Sequence, residues 1–239
     1  MLELLKWDSE FFGFKVGRWE IMPPPPKDIL SHILSNVPTG MRLVYLQSPT
    51  ALQNLPENIH LVDRKTVYTK TLYSASRVNN ASTAQPWSSL MNRMALDHLA
   101  IQAGFYSRFA VDPQMPAGSL ERLYRLWIQR SVDKELADEV LVIANENVPI
   151  AMITVTTKSA TGHVGLVAVD DAHRGKGLGR CLLQAAESWC ATNGAKSMQI
   201  ITQGGNIPAC HLYESTGYKI CKQDFLYHMW LQPKLGGES

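Results

Sequence analysis

The sequence predicts an α/β fold, a larger domain preceded by a smaller α/β one, and three observations carry that reading. Short β-branched runs alternate with stretches of helical apolar spacing along the 239 residues. One polar, turn-rich segment, SASRVNNASTAQP, interrupts the alternation at Ser74–Pro86. A glycine-rich loop, RGKGLGR, stands between a strand-like GLVAVD and a helix-like LGRCLLQAAESWC. The domains are accordingly drawn at 1–74 and 87–232, with 75–86 as a linker and 233–239 as a C-terminal tail.

In chain order, Lys15–Ile21 reads as a strand and 28–35 as a helix, joined by the extended proline run Pro23–Pro26. Strands follow at 43–46, 59–63 and 66–72, the last rich in β-branched and aromatic residues. Beyond the linker, 87–103 carries Leu90, Met94 and Leu99 at helical spacing and stops at Gly104. A second helix opens at Ser119 as N-cap and sets Leu120, Leu123, Trp127 and Ile128 on one face. EVLVIANENVPIAMITVTT, from Glu139, is two β-branched runs around Asn145-Glu146-Asn147, a hairpin. A strand over 163–170 runs into the glycine loop, and the helix after it buries Leu178, Leu182, Leu183, Ala186, Trp189 and Cys190 before Asn193-Gly194 ends it. Then come a strand at 198–202, a short helix Ile207–Ser215 capped by Asn206 and stopped by Gly217, and strand material over 218–231.

Composition narrows the function. The chain is 45% hydrophobic and 18% charged, enough for an ordinary core. Its 23 basic and 21 acidic residues leave a formal net charge of +2, too even for a nucleic-acid footprint or a polybasic membrane patch, so neither partner is expected. Glu3, Lys6 and Asp8 interrupt the region a signal peptide would need, and no 18 apolar residues run together; a cytoplasmic protein is expected. Cys181, Cys190, Cys210 and Cys221 show no C-x-x-C spacing, so no metal is expected and the cysteines read as partly buried small residues.

The glycine loop selects an anion. Glycines allow positive φ and close approach, and a helix beginning just after them directs unpaired N–H groups and a positive dipole end outward. Two familiar phosphate loops do not fit. A Walker A loop needs Ser or Thr directly after Gly-Lys, whereas Lys176 is followed by Gly177 and Leu178. The dinucleotide fingerprint needs a last glycine where Leu182 stands.

What remains is R-x-x-G-x-G, formed by Arg174, Gly177 and Gly179 behind the strand GLVAVD, and it resembles motif A of the GCN5-related N-acetyltransferases (GNAT). The order of elements over 139–231, and back to Trp87, is similar to that family's. The resemblance implies the GNAT fold with a mixed central sheet and acetyl-CoA as co-substrate. It implies that the loop Arg174, Gly175, Lys176, Gly177, Leu178, Gly179 and Arg180 meets the pyrophosphate, and that Val167, Ala168 and Val169 line the pantetheine arm. A second stretch, NIPACHLYESTGY from Asn206, resembles the family's N-x-x-A-x-x-L-Y pattern. It implies a pantetheine contact for Asn206 and places Tyr213 at the family's tyrosine. Amine attack on a thioester expels a thiolate, and a phenol with an ordinary pKa near ~10 is protonated at neutral pH and able to supply its proton.

Two further stretches, WDSEFFGFKVGR from Trp7 and AGFYSRFAVDPQMP from Ala103, the latter followed by LYRLWIQRSV, resemble nucleotide-sugar acetyltransferases of surface-polysaccharide synthesis, most closely those acting on TDP-fucosamine. That resemblance implies transfer to the 4-amine of TDP-4-amino-4,6-dideoxy-D-galactose. Tyr106, Ser107 and Arg108 offer an aromatic face, a hydroxyl and a guanidinium fork to such an acceptor. Trp7 and Phe11 are either a base-stacking pair or core. No general base is assigned, since Asp138, Glu139 and His163 read equally as solvated groups. A homodimer stays open. So do a GNAT enzyme acting on a protein N-terminus or a small amine, and a non-catalytic acetyl-CoA sensor.

Overall fold

The computed structural model describes residues 2–22, 28–72 and 84–232. The Pro23–Pro26 run, most of the expected linker and the expected 233–239 tail lie outside the described residues. The chain divides into two compact units, Met1–Lys65 with Gln223–Ser239, and Thr66–Lys222. Composition drew a single boundary near residue 74. The observed division differs because the end of the chain returns to the first unit, which no change in composition announces.

The first unit contains β1 (Leu2–Leu4), α1 (Lys6–Phe12), β2 (Lys15–Glu20), α2 (Ile29–Asn36) and β3 (Met41–Ser48). It also takes β4 (Ile59–Thr71) as far as Lys65 and β10 (Lys219–Trp230) from Gln223 onward. β1 and β2 pair antiparallel, β2 and β3 parallel through the α2 crossover, and β3 and β10 antiparallel with Tyr45 opposite His228. One face of this sheet is apolar: Trp19, Val44, Leu46, Tyr227 and Met229 pack with Ile33 of α2. The sequence reading missed α1, a helix of 7 residues that is too short to establish a period. Gly13, at φ +77, terminates it by donating its N–H to Ser9. Trp7 and Phe11 stack at 5.2 Å between ring centroids on that helix. β4 is one strand where two were expected: it runs unbroken through the charged pair Arg64-Lys65, with Val62 buried before the pair and Thr66 and Tyr68 after it.

The second unit adds β5 (Gln85–Pro86), α3 (Arg93–Ala103), α4 (Arg108–Val111), α5 (Ser119–Val132), β6 (Glu139–Asn145), β7 (Val148–Lys158), β8 (Thr161–Val169), α6 (Leu178–Thr192), β9 (Ser197–Gln203) and α7 (Ile207–Ser215). Its strands follow the order β4-β9-β8-β7-β6-β5. β5 to β8 pair antiparallel and β8 with β9 parallel, so the sheet is mixed. Helix α6 supplies the crossover between the parallel strands, as such a connection requires. Its Leu182, Leu183, Ala186 and Cys190 are fully buried against Ile153, Val155, Met198 and Ile200. Each buried leucine contributes about 1.5–3 kcal/mol.

Two helix starts differ from expectation. α3 begins at Arg93 rather than Trp87, because Asn92 caps it by accepting from the Ala95 N–H. Leu90 and Met94, expected on its apolar face, are exposed, and Leu96, Leu99 and Ala100 fill that face instead. α5 is capped by Gly118 at φ +72, which leaves Ser119 inside the first turn. Among the described residues, no helix is long and apolar enough to cross a membrane.

Candidate active site

The site grows from one irregularity in β8. Opposite Thr154 of β7 stand two residues of β8, Gly165 and Leu166, where regular pairing allows one. The Leu166 N–H donates to Thr154 Oγ1 at 2.8 Å, so the side chain takes the place of a ladder carbonyl. A Cβ at Gly165 would lie 2.7 Å from that same oxygen, closer than such atoms approach, which is why glycine stands there. Beyond the bulge β8 bends, and its pairing with β9 ends at Val164 opposite Ile200. Both strands continue past that point and are no longer paired to each other.

The Asp170 N–H donates to Ile150 of β7. By the alternation of a strand, Ala168 directs its N–H the same way, and Val167 and Val169 direct theirs into the gap left by β9. The gap widens into a cavity of about 590 Å³ lined by Val167, Ala168 and Val169, by the glycine loop, by Asn206 and Tyr213, and by Gln102, Phe105 and Tyr106.

The loop enters through a single 3-10 turn, 171–173, and becomes helix at Leu178. Gly175 at φ +76 and Gly177 at φ +79 adopt the left-handed conformation that other residues resist. Gly177 caps α6 with no side-chain acceptor, and the first turn of α6 holds no acidic residue. The leading N–H groups of this helix therefore face outward unsatisfied. Arg174, Lys176 and Arg180 add positive charge to the positive end of a helix, an arrangement that costs stability until an anion arrives. Gly179 answers to a different constraint: a Cβ there would meet Leu212 Cδ2 of α7 at 2.9 Å.

Tyr213 sits in α7, which starts as the sequence indicates, with Asn206 Oδ1 accepting from Ala209 N–H. Its side chain is 1% exposed and reaches the cavity wall. Tyr68 and Tyr218 hold its ring, at 5.5 and 6.2 Å between centroids, and Tyr68 is itself fixed by donating to Glu214 at 2.8 Å. Burial pushes the Tyr213 phenol well above its ordinary value, so it stays protonated across the physiological range.

Other expected site residues fall in several places. Val167, Ala168, Val169, Arg174, Gly175, Gly177, Leu178, Gly179, Arg180, Asn206 and Tyr213 all line the one cavity. Lys176 turns back to donate to the Ala172 carbonyl. Of the acceptor trio, Tyr106 lines the cavity, Ser107 is buried at the start of α4, and the Arg108 guanidinium lies 4.7 Å over the Phe109 ring. Glu139 pairs with Lys134 at 2.7 Å, and Asp138 accepts from the Thr157 N–H; neither lines the cavity, nor does His163. The sequence reading missed Gln102, Phe105, His211 and Leu212. Gln102 left one signal, a polar residue three positions after Leu99 on the buried face of α3. Among the described residues, no group of three or more His, Cys, Asp and Glu is arranged to hold a metal.

Comparison with known proteins agrees with this geometry. Residues 103–218 match the model of the Acetyltransferase (GNAT) family. A streptothricin acetyltransferase of Escherichia coli is 30% identical over 73 residues, covering 30% of this chain and 41% of that protein. A mycothiol acetyltransferase of Corynebacterium jeikeium is 31% identical over 67 residues, 28% of this chain and 19% of that one. The chain thus matches less than half the length of either relative. In fold, a GCN5-related N-acetyltransferase from Sphaerobacter thermophilus superposes with a TM-score of 0.60 at 16% identity, over 97% of this chain and 76% of that one. Residues 103–218 are thus similar to the GNAT acetyltransferases in sequence, and the fold is theirs.

Proposed function

We propose that this chain transfers the acetyl group of acetyl-CoA to the amine of a small anionic acceptor, a nucleotide-linked 4-amino-4,6-dideoxy sugar of the TDP-fucosamine type. The observation that carries the transfer is the gap between β8 and β9, which opens at the glycine loop and has Tyr213 in its wall. An extended pantetheine arm replaces the missing strand there, hydrogen-bonding to Val167 and Val169, while its pyrophosphate meets the N–H groups at the start of α6. The amine attacks the thioester carbonyl, a C–N bond forms, the C–S bond breaks, and the thiolate takes the proton of Tyr213. The nitrogen's surplus proton leaves to solvent, which then reprotonates the phenolate.

The charge of the cavity supports the acceptor class. Its described lining includes Arg174, Arg180 and His211, and neither Asp nor Glu. A polycationic acceptor would enter without a countercharge, whereas a diphosphate-linked sugar brings its own negative charge to a basic site. Phe105 and Tyr106, both largely exposed beside the cavity, offer faces on which a base or sugar ring stacks. The test is acetyl transfer to TDP- and UDP-linked 4-amino sugars, streptothricin and a peptide N-terminus, assayed side by side by thiol release. Preferred turnover of streptothricin or the peptide overturns the acceptor class and leaves the transfer reading standing. Absence of thiol release with every acceptor, despite coenzyme binding, favours a sensor.

A further inference from the structure

We propose that Gln102 is a positioning residue for the glycine loop, acting as a strut through Arg174 and Asp170. The loop has little else to fix it. At Gly175 and Gly177 a Cβ would find nothing within 4 Å, so the tip stands clear of the core and packing does not set its place. Gln102 is 6% exposed in the last turn of α3. Its side-chain carbonyl accepts from Arg174 Nη2 at 3.0 Å, and its amide points to Asp170 Oδ2 at a longer 3.5 Å. Only this orientation of the amide satisfies both neighbours, a cation and a carboxylate.

The two partners bracket the entry to the loop. Asp170 directly follows β8, and its Oδ1 takes the Ala172 N–H at 3.2 Å and faces His173 Nδ1 at 3.0 Å. Arg174 opens the glycine run, and its Nε donates back to the Val169 carbonyl at 3.1 Å. The guanidinium is thus engaged inward at two nitrogens. Besides adding positive charge to the cavity, it ties the loop to α3 and to the end of β8. A small displacement of a row of N–H donors is costly for an anion, because each bond depends on direction. Gln102 therefore governs coenzyme affinity without touching the reacting atoms.

Two readouts test this, and only the second rests on the acetyl-CoA reading. In the protein without coenzyme, amide hydrogen exchange across 171–177 should accelerate roughly 3- to 30-fold in Gln102→Leu and in Arg174→Ala. Exchange in β6 and β7 should stay as in wild type. Arg174 is exposed, so its variant reads the strut even if Gln102→Leu does not fold. Unchanged exchange across 171–177 in a folded variant overturns the proposal. In the second arm, calorimetry with coenzyme A should find each single variant weakened roughly 3- to 30-fold, and the double variant no weaker than the worse single one, since both remove the same strut. The KM for acetyl-CoA should rise while kcat holds. Losses that multiply in the double variant overturn the proposal. If wild type itself does not bind coenzyme A, the proposed function falls, and the exchange arm still decides the strut.

Discussion

The Leu166 N–H and the Thr154 Oγ1, 2.8 Å apart, form the hydrogen bond on which the opening of the sheet rests. Both residues are buried, Thr154 at 2% and Leu166 at 8% exposure, so no water stands ready to replace either partner. Thr154→Val keeps the shape and removes the acceptor. The orphaned N–H should cost about 1–3 kcal/mol in urea denaturation, with a rise in KM for acetyl-CoA as β8 settles differently. A loss below about 0.5 kcal/mol with unchanged KM would show that the bulge is held by other contacts.

The loop glycines separate by mechanism. Gly177→Val forces a β-branched residue to φ +79 at the cap of α6 and should remove measurable coenzyme A binding by calorimetry. Gly179 has helical φ, and the atom its Cβ would meet is the flexible end of Leu212, so Gly179→Ala should be tolerated within about tenfold. Full affinity in Gly177→Val would remove the loop from the coenzyme site.

Tyr213→Phe keeps the ring and its packing between Tyr68 and Tyr218. Because burial raises the phenol's pKa, it is a weaker acid than a free tyrosine, and the fall in turnover should lie at the low end of the general-acid range, about 10². The KM for acetyl-CoA should hardly move. Single-turnover acetyl transfer at saturating acetyl-CoA measures it, and an unaltered chemical step would place the thiolate's proton in solvent's hands.

The same burial predicts an alkaline weakness. Tyr68, Tyr213 and Tyr218 are all raised above the ordinary phenol value of 10.0, in each case first by burial. Below that value folded and unfolded chains both hold the protons, and the groups' contribution is fully present. Above it the unfolded chain releases protons that the folded one retains, so stability is lost as pH rises toward the folded values, by up to about 1.4 kcal/mol per pH unit for each phenol. Denaturation midpoints should fall as pH rises above the ordinary value of 10.0, and tyrosinate absorbance from these three should appear only as the chain unfolds. Reversible ionisation of these three tyrosines near their ordinary value in the folded chain would contradict it.

The second unit was more legible in the sequence than the first. Ile207–Ser215 and its Asn206 cap are as read, because cap, proline and terminal glycine act locally. The glycine loop and the hairpin were legible for the same reason, since each signal lies within a few residues of its effect; the other residues around the cavity that were named came only through the family resemblance. The first unit hides its order, since β3 pairs with β10 about 180 residues later in the chain, a distance no periodicity spans. Gln102 was invisible for a related reason. Its partners, Arg174 and Asp170, lie some 70 residues away, and alone it reads as a polar interruption of an apolar face.

The parting of β8 from β9 after Val164 has a consequence for the protein when it is empty. An unpaired stretch of backbone within a sheet is a template, and any extended chain of suitable length can add to it. On the proposed function, the coenzyme's arm is then also a guard, a non-peptide strand in the position another polypeptide would otherwise take. Preparations depleted of acetyl-CoA should then associate more readily than saturated ones, so that ligand supply governs solubility.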